Sequence, residues 1–168
     1  MNVKVIDPVI TNNIINNDEI EELKNLININ KNLLQYDPYY GRMVVTDTLI
    51  PELMHHSNKL RDKAREIFGS NTLEPTYVLF GHYFGKDANL KKHKDNSFDC
   101  MYNLDVCLYQ NDPWDVYVEG KSYTLNPGDA LSFNGVHNLH WRESFPNPET
   151  NEVGMLFFFY TEPEYIKN

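Results

Sequence analysis

The chain has 168 residues, of which 41 % are hydrophobic and 23 % are charged, which is enough for one domain with a hydrophobic core and too little for two ordinary domains. Its 15 Lys and Arg residues against 24 Asp and Glu residues give a net charge of −9, which argues against a protein that binds the nucleic-acid backbone. No apolar stretch reaches the ~18 residues of a membrane span, and the N-terminus lacks the apolar run of a signal peptide, so we expect a soluble cytoplasmic protein.

Residues 1–70 are predicted to form a helical support. After a strand candidate at Val3–Ile6, the segment Asn17–Ile27 starts with a capping Asn and acidic side chains, and its apolar residues recur every three or four positions, as on one helix face. A second helix is predicted from near Pro51 to Gly69, because Pro suits a first helical turn and Gly suits a C-terminal cap. We expect both amphipathic helices to pack against a flat surface.

Residues 71–168 are predicted to form the β-rich core of the same domain. Turns rich in Asn, Asp, Pro and Gly separate six short runs of β-forming residues. The runs are Tyr77–Phe80, Met101–Tyr109, Trp114–Val118, Ser122–Leu125, Ala130–Phe133 and Met155–Tyr160. Many short strands after helices favour a mainly β fold with flanking N-terminal helices, of the double-stranded β-helix (jelly-roll, cupin-like barrel) type.

The two cysteines, Cys100 and Cys107, fall in one of these predicted strands. Because an odd spacing points two side chains to opposite faces of a strand, we expect no disulfide between them. Two unpaired thiols are compatible with a reducing cytosol.

The histidines supply the most informative chemical pattern. His93 and Asp95 stand two residues apart in a segment predicted to be extended, so both side chains point to one side. A later antiparallel strand can add a third ligand, either His140 or His137. Two His and one carboxylate on one face of a metal leave three positions open, which is typical of non-haem Fe(II) oxygenases. The other notable pair lies in a polar helix turn and is predicted to be solvated: His55 and His56.

The segments around this pattern resemble the catalytic core of the prolyl-4-hydroxylase-type 2-oxoglutarate- and Fe(II)-dependent oxygenases. The resemblance covers residues 77 to 160, half of the chain. A Tyr on the preceding segment, here Tyr83, and a Tyr-x-Asn pattern followed by Trp, here Tyr109-Gln110-Asn111 and Trp114, are features of that family. The segment Asn126-Pro127-Gly128-Asp129 is similar to the family's Pro-x-Gly-Asp turn before the distal His.

The resemblance implies Fe(II) bound by His93, Asp95 and His140. It also implies 2-oxoglutarate as cosubstrate, O2 as oxidant and ascorbate as an optional stimulant. His140 is preferred as the distal ligand because its distance beyond Phe133 is the one usual in the family, and His137 is kept as the alternative.

One departure from the family concerns the far carboxylate of 2-oxoglutarate. Family members commonly bind it with an Arg or Lys at the start of the last core strand, where this chain has Glu149. Arg142 lies two residues past His140, on the same side of a strand, and is assigned this role with the hydroxyls of Tyr83 and Tyr109. Three lysines are the alternatives: Lys86, Lys91 and Lys121.

The expected reaction is hydroxylation of a C–H bond, and the intact carboxylate ligand Asp95 disfavours halogenation. The expected substrate is a small molecule, an amino acid or a short peptide, with the polar aromatic loop from Tyr36 to Arg42 as a candidate substrate contact. We expect a monomer or a homodimer. Two other functions remain open: a cupin-type dioxygenase or isomerase using His137, and a jelly-roll binding module without metal chemistry.

Overall fold

The computed structural model describes residues 6–166. The predicted strand at Val3–Ile6 lies outside these residues except for Ile6, which is not in a strand. Within the described range the first strands and helices are β1 (Val9–Thr11), α1 (Asn17–Ile29), β2 (Gln35–Asp37), β3 (Arg42–Thr46), α2 (Glu52–Phe68) and β4 (Glu74–Phe84). The remaining strands are β5 (Leu90–His93), β6 (Tyr102–Gln110), β7 (Val116–Val118), β8 (Lys121–Tyr123), β9 (Ala130–Asn134), β10 (His140–Arg142) and β11 (Glu152–Thr161).

Both predicted helices are present with the predicted kinds of ends. The helix α1 begins with a capping box between Asn16 and Glu19, so the cap lies one residue earlier than predicted. The helix α2 follows Pro51 and ends at Gly69, whose φ of 64° is the left-handed conformation that glycine adopts without strain.

The strands form two sheets. The large sheet has the order β1-β9-β6-β11-β4-β3-β2, and the small sheet has the order β5-β10-β7-β8. Every strand pair in both sheets is antiparallel. This arrangement confirms the predicted mainly β fold. The predicted helical support is wrong in one respect, because it also contributes β1, β2 and β3 to the large sheet.

The large sheet separates two hydrophobic clusters, because successive side chains of a strand point to opposite faces. On the outer face, Leu23 of α1 and Leu53 of α2 are buried in the same cluster as Phe158 of β11. On the inner face, Phe157 of β11 belongs to a second cluster with Val116 of the small sheet. The predicted flat surface under the helices is thus the outer face of the large sheet, and the inner face is free to line a barrel.

Several local predictions need correction. His56 is buried, with Nε2 3.6 Å from a carboxylate oxygen of Glu22 in α1, whereas His55 is exposed as predicted. Cys100 lies in a short 3-10 helix before β6 and not in the strand with Cys107, although both thiols are unpaired as expected. No helix in the described part of the chain is long and apolar enough to cross a membrane.

Candidate metal centre and its cavity

Two histidines lie opposite each other on neighbouring strands of the small sheet. His93 is the last residue of β5 and His140 is the first residue of β10, and the antiparallel register places them directly opposite each other. Their ring centroids are 4.2 Å apart. Asp95 follows β5, and its Oδ1 atom lies 3.6 Å from Nε2 of His93 and 3.8 Å from Nε2 of His140. The structure therefore brings together the three residues that the sequence predicts as a metal centre.

Backbone carbonyls set the tautomers of both imidazoles. Nδ1 of His93 lies 2.7 Å from the carbonyl oxygen of Lys91, and Nδ1 of His140 lies 3.0 Å from that of Asn138. A carbonyl can only accept, so each Nδ1 carries a proton, and in the neutral imidazole the lone pair is then on Nε2. Both lone pairs face Asp95, as metal-binding histidines require.

The carboxylate of Asp95 is also held in place. Its Oδ2 accepts a hydrogen bond of 2.9 Å from Nδ2 of Asn103 in β6, and its backbone N–H donates to the carbonyl of Gly135 at 2.9 Å. These two bonds leave Oδ1 free to point between the histidines. Sequence reasoning missed Asn103, because only the pairing of β6 with β9 and β11 brings it beside this loop.

The three residues fit a first-row divalent metal. Metal–ligand bonds of about 2.0–2.2 Å place neighbouring octahedral donors about 3 Å apart, so the observed spacing of the donor atoms needs only a small inward movement. Two neutral imidazoles and one carboxylate are also the donors that Fe(II) prefers in oxygenases. His137, the alternative ligand, is exposed, and its ring is not among the clustered ligand atoms of residues 6–166.

A cavity of about 460 Å³ opens at this centre. Its aromatic wall comes from the turn before β3 and from β4 and β11: Tyr39, Tyr40, Tyr77, Phe157 and Phe159. Its charged lining, apart from the candidate ligands, consists of Arg42, Lys94 and Asp105. Within residues 6–166, the side-chain Oδ1 atoms of Asn103 and Asp105 are buried without a hydrogen-bond partner. Buried polar atoms are rarely left unpaired, so these two are exceptions next to the candidate metal centre.

The residues assigned to 2-oxoglutarate occupy three different places. Arg142 is buried next to the cavity but does not line it: its guanidinium donates to the carbonyl of Trp114 and lies 3.6 Å from Sδ of Met155. Burial lowers the pKa of Arg142. Tyr83 is fully buried, and its hydroxyl accepts a hydrogen bond of 2.6 Å from Arg42. The three alternative lysines, Lys86, Lys91 and Lys121, do not line the cavity.

Tyr109 lies on the outer face of the large sheet, whereas the predicted contact with 2-oxoglutarate needs the inner face. Consecutive residues of β11, Gly154 and Met155, pair with Tyr109 and Cys107, so Leu108 is an extra residue that forms a bulge in β6. The bulge turns Tyr109 toward the helices, where its hydroxyl lies 2.8 Å from Nδ1 of His82. Its position is thus outside the metal-centre cavity, in contrast to the hydroxyl contact that the resemblance implied.

Asp105 is a buried carboxyl group whose protonation we expect to control stability. Burial raises its pKa to about 8, and the neighbouring Asp95 adds to the increase while Arg142 and Arg42 oppose it. Between the unfolded value of about 3.9 and this raised value, the folded chain binds more protons than the unfolded chain. The free energy of unfolding should therefore fall as pH rises through this window.

The test compares thermal unfolding of the metal-free wild type and Asp105→Asn across that pH range. The variant cannot ionise at this position, so we expect its unfolding temperature to fall less than that of the wild type as pH increases. Identical pH profiles for the two proteins would contradict a raised pKa at Asp105.

No protein-family model matches this chain, and no curated protein matches it. Several solved structures are similar to this chain. HygX from Streptomyces hygroscopicus, with nickel, 2-oxoglutarate and hygromycin B bound, is 12 % identical, with a TM-score of 0.73 over 93 % of this chain and 83 % of HygX. A prolyl-4-hydroxylase from Pseudomonas putida is 12 % identical, with a TM-score of 0.66 over 92 % of each chain.

EctD from S. alaskensis, with iron bound, is 14 % identical, with a TM-score of 0.73 over 96 % of this chain and 74 % of EctD. This chain has the double-stranded β-helix fold of the 2-oxoglutarate- and Fe(II)-dependent oxygenases. The likeness extends over nearly the whole chain, whereas the resemblance in the sequence was limited to residues 77 to 160.

Proposed function

We propose that the protein is a non-haem Fe(II)- and 2-oxoglutarate-dependent oxygenase that hydroxylates a C–H bond of a small molecule, an amino acid or a short peptide. The observation that carries this proposal is the centre formed by His93, Asp95 and His140, in which both free Nε2 atoms face one carboxylate at the wall of a cavity. Fe(II) and 2-oxoglutarate supply the activation of O2 when bound, with succinate and CO2 as the products of the cosubstrate.

The contribution of the chain is to hold the metal on one side only. His93, Asp95 and His140 would supply three donors on one face of the metal, which would leave the other positions for a 2-oxo acid and O2 and none for a halide. The backbone bonds to both imidazoles and the Asn103 bond to Asp95 keep these donors in place before the metal arrives.

The cavity limits the size of the substrate. Its volume of about 460 Å³ lies within the range of small-molecule sites, about 300–1,000 Å³, and has to hold the cosubstrate as well. The aromatic side chains form a wall of this cavity beside the candidate metal ligands. The similar structures support the same classes of substrate, since HygX is described with hygromycin B and the Pseudomonas putida protein is a prolyl-4-hydroxylase.

Calorimetric titration under nitrogen tests this function. We expect the wild type to bind Mn(II) or Fe(II) and then to bind 2-oxoglutarate only when the metal is present. Metal binding without any binding of 2-oxoglutarate would favour the cupin-type alternative, and failure to bind either would favour a binding module without metal chemistry.

A further inference from the structure

We propose that Arg42, held in position by Tyr83, forms a carboxylate-binding site in the cavity and that this site holds the far carboxylate of 2-oxoglutarate. The inference rests on the function proposed above. It assigns to a residue of β3, outside the segment that resembles the family, the role that was predicted for Arg142. A carboxylate of the substrate could bind the same donors, and the experiment below distinguishes it from the carboxylate of 2-oxoglutarate.

Arg42 is fixed in place and still has donors to offer. Its Nε donates to Asp37 at 3.1 Å and its Nη1 donates to the hydroxyl of Tyr83 at 2.6 Å, while its guanidinium carbon lies 4.6 Å from the centre of the Tyr40 ring. Among residues 6–166, Nη2 has no hydrogen-bond partner. It is not fully buried, and Arg42 lines the cavity. The edge formed by Nη1 and Nη2 is therefore available to a planar carboxylate, which can accept two parallel hydrogen bonds from it.

A glycine of the neighbouring strand packs beside the Arg42 side chain. Gly81 of β4 faces the inside of the barrel, and a methyl group there would contact Cδ of Arg42 at 3.5 Å and the Phe157 ring at 3.4 Å. The Arg42 side chain thus lies across the inner face of β4 and reaches from Tyr83 toward the aromatic wall of the cavity. Lys94 also lines the cavity, but it is exposed at the opening.

The hydroxyl of Tyr83 supports Arg42 from a fully buried position that does not line the cavity. It accepts its hydrogen bond from Arg42, and its own proton has no acceptor among the described residues. Burial raises the pKa of Tyr83, so the hydroxyl stays protonated and able to donate. Tyr83 is therefore a positioning residue, which fixes Nη1 of Arg42 through this hydrogen bond.

Arg142, the residue predicted for this role, makes different contacts. The Nη1 and Nη2 atoms of Arg142 point to the carbonyl of Trp114 and to Sδ of Met155, and its guanidinium lies over the Trp114 ring at 4.9 Å. A cosubstrate could reach these nitrogens only if Arg142 moved out of these contacts. Arg42 needs no such movement.

The test measures binding and does not depend on turnover. Mn(II)-loaded proteins are titrated under nitrogen with 2-oxoglutarate and with 2-oxopentanoate, which chelates the metal in the same way but lacks the far carboxylate. We expect the wild type to prefer 2-oxoglutarate by roughly ten- to a hundredfold, the usual effect of charge-assisted hydrogen bonds. In Arg42→Met this preference should disappear, because 2-oxoglutarate loses affinity and 2-oxopentanoate does not.

Further variants keep the test decisive if Arg42→Met does not fold. Arg42→Lys should restore only part of the preference, since an ammonium cannot offer two parallel donors, and Tyr83→Phe should reduce it severalfold. Arg61→Met, which removes a surface arginine of α2, is the matched control and should bind as the wild type does.

The outcomes separate this inference from the function on which it rests. A preference that survives in the Arg42 variants but disappears in Arg142→Met or Lys94→Met would overturn the assignment and leave the oxygenase proposal intact. An unchanged preference in every variant would place Arg42 at the carboxylate of a substrate or at no carboxylate, and would equally overturn it. A wild type that binds the metal but neither 2-oxo acid would overturn the proposed function itself.

Discussion

Replacing His93, Asp95 or His140 with Ala is expected to abolish high-affinity binding of Fe(II) or Mn(II). Each residue supplies one of three donors, and a methyl group supplies none. Changes in the groups that merely orient ligands cost about 10–100-fold in metal affinity, so loss of a ligand should cost more than about a hundredfold. The measurement is calorimetric titration with Mn(II), with circular dichroism to verify that each variant is folded.

The matched control for these variants is His137→Ala. His137 is exposed and lies outside the cluster of ligand atoms, so its removal should leave the metal affinity at the wild-type value. If His137→Ala loses the metal and His140→Ala keeps it, the distal ligand is wrongly assigned and the cupin-type alternative gains support.

Gly135→Ala is the second change for which we expect a large effect, although Gly135 binds no metal itself. A methyl group at this position would overlap Oδ2 of Asp95 and would lie 2.7 Å from the carbonyl oxygen of Cys100 and from Nδ2 of Asn103. The carbonyl belongs to the backbone and cannot easily retreat, so the Asp95 side chain has to move. We expect metal affinity to fall about tenfold or more, together with about 1–3 kcal/mol of stability from overpacking.

Gly120→Ala provides the comparison, because its methyl group would meet nothing within 4 Å. Its φ of 84° makes alanine strained there, so this variant should lose stability without losing metal affinity. Titration of both variants with Mn(II) separates the two effects. A Gly135→Ala protein with wild-type metal affinity would show that the position of Asp95 does not depend on this close contact.

The sequence predicted the parts of the site that depend on local spacing. The two-residue spacing of His93 and Asp95 places both side chains on one side, and the position of His140 follows from the antiparallel strand that pairs with β5. The helices were predictable for the same reason, since caps and apolar periodicity are local signals. The segments that form β5 and β10 were expected to be extended, but their bounds were not predicted because both strands are short.

The remaining parts depend on contacts between distant segments. Arg42 reaches the cavity only through the pairing of β3 with β4, which places it opposite Tyr83. Tyr109 was placed on the wrong face because a single extra residue in β6 reverses the alternation of side chains. A signal for this bulge was present in Gly154, since glycine inside a strand often marks a bulge or a close approach, and a side chain at Gly154 would overlap the Tyr109 ring.

The most direct test of the central claim is the consumption of O2 by the Fe(II)-loaded protein, measured with and without 2-oxoglutarate in the presence of ascorbate, after subtraction of the O2 uptake of Fe(II) and ascorbate without protein. We predict that the wild type consumes O2 only when 2-oxoglutarate is present and releases succinate as it does so, and that His140→Ala does neither. Consumption of O2 that is independent of 2-oxoglutarate, or succinate release at an equal rate by the wild type and His140→Ala, would contradict an oxygenase built on His93, Asp95 and His140.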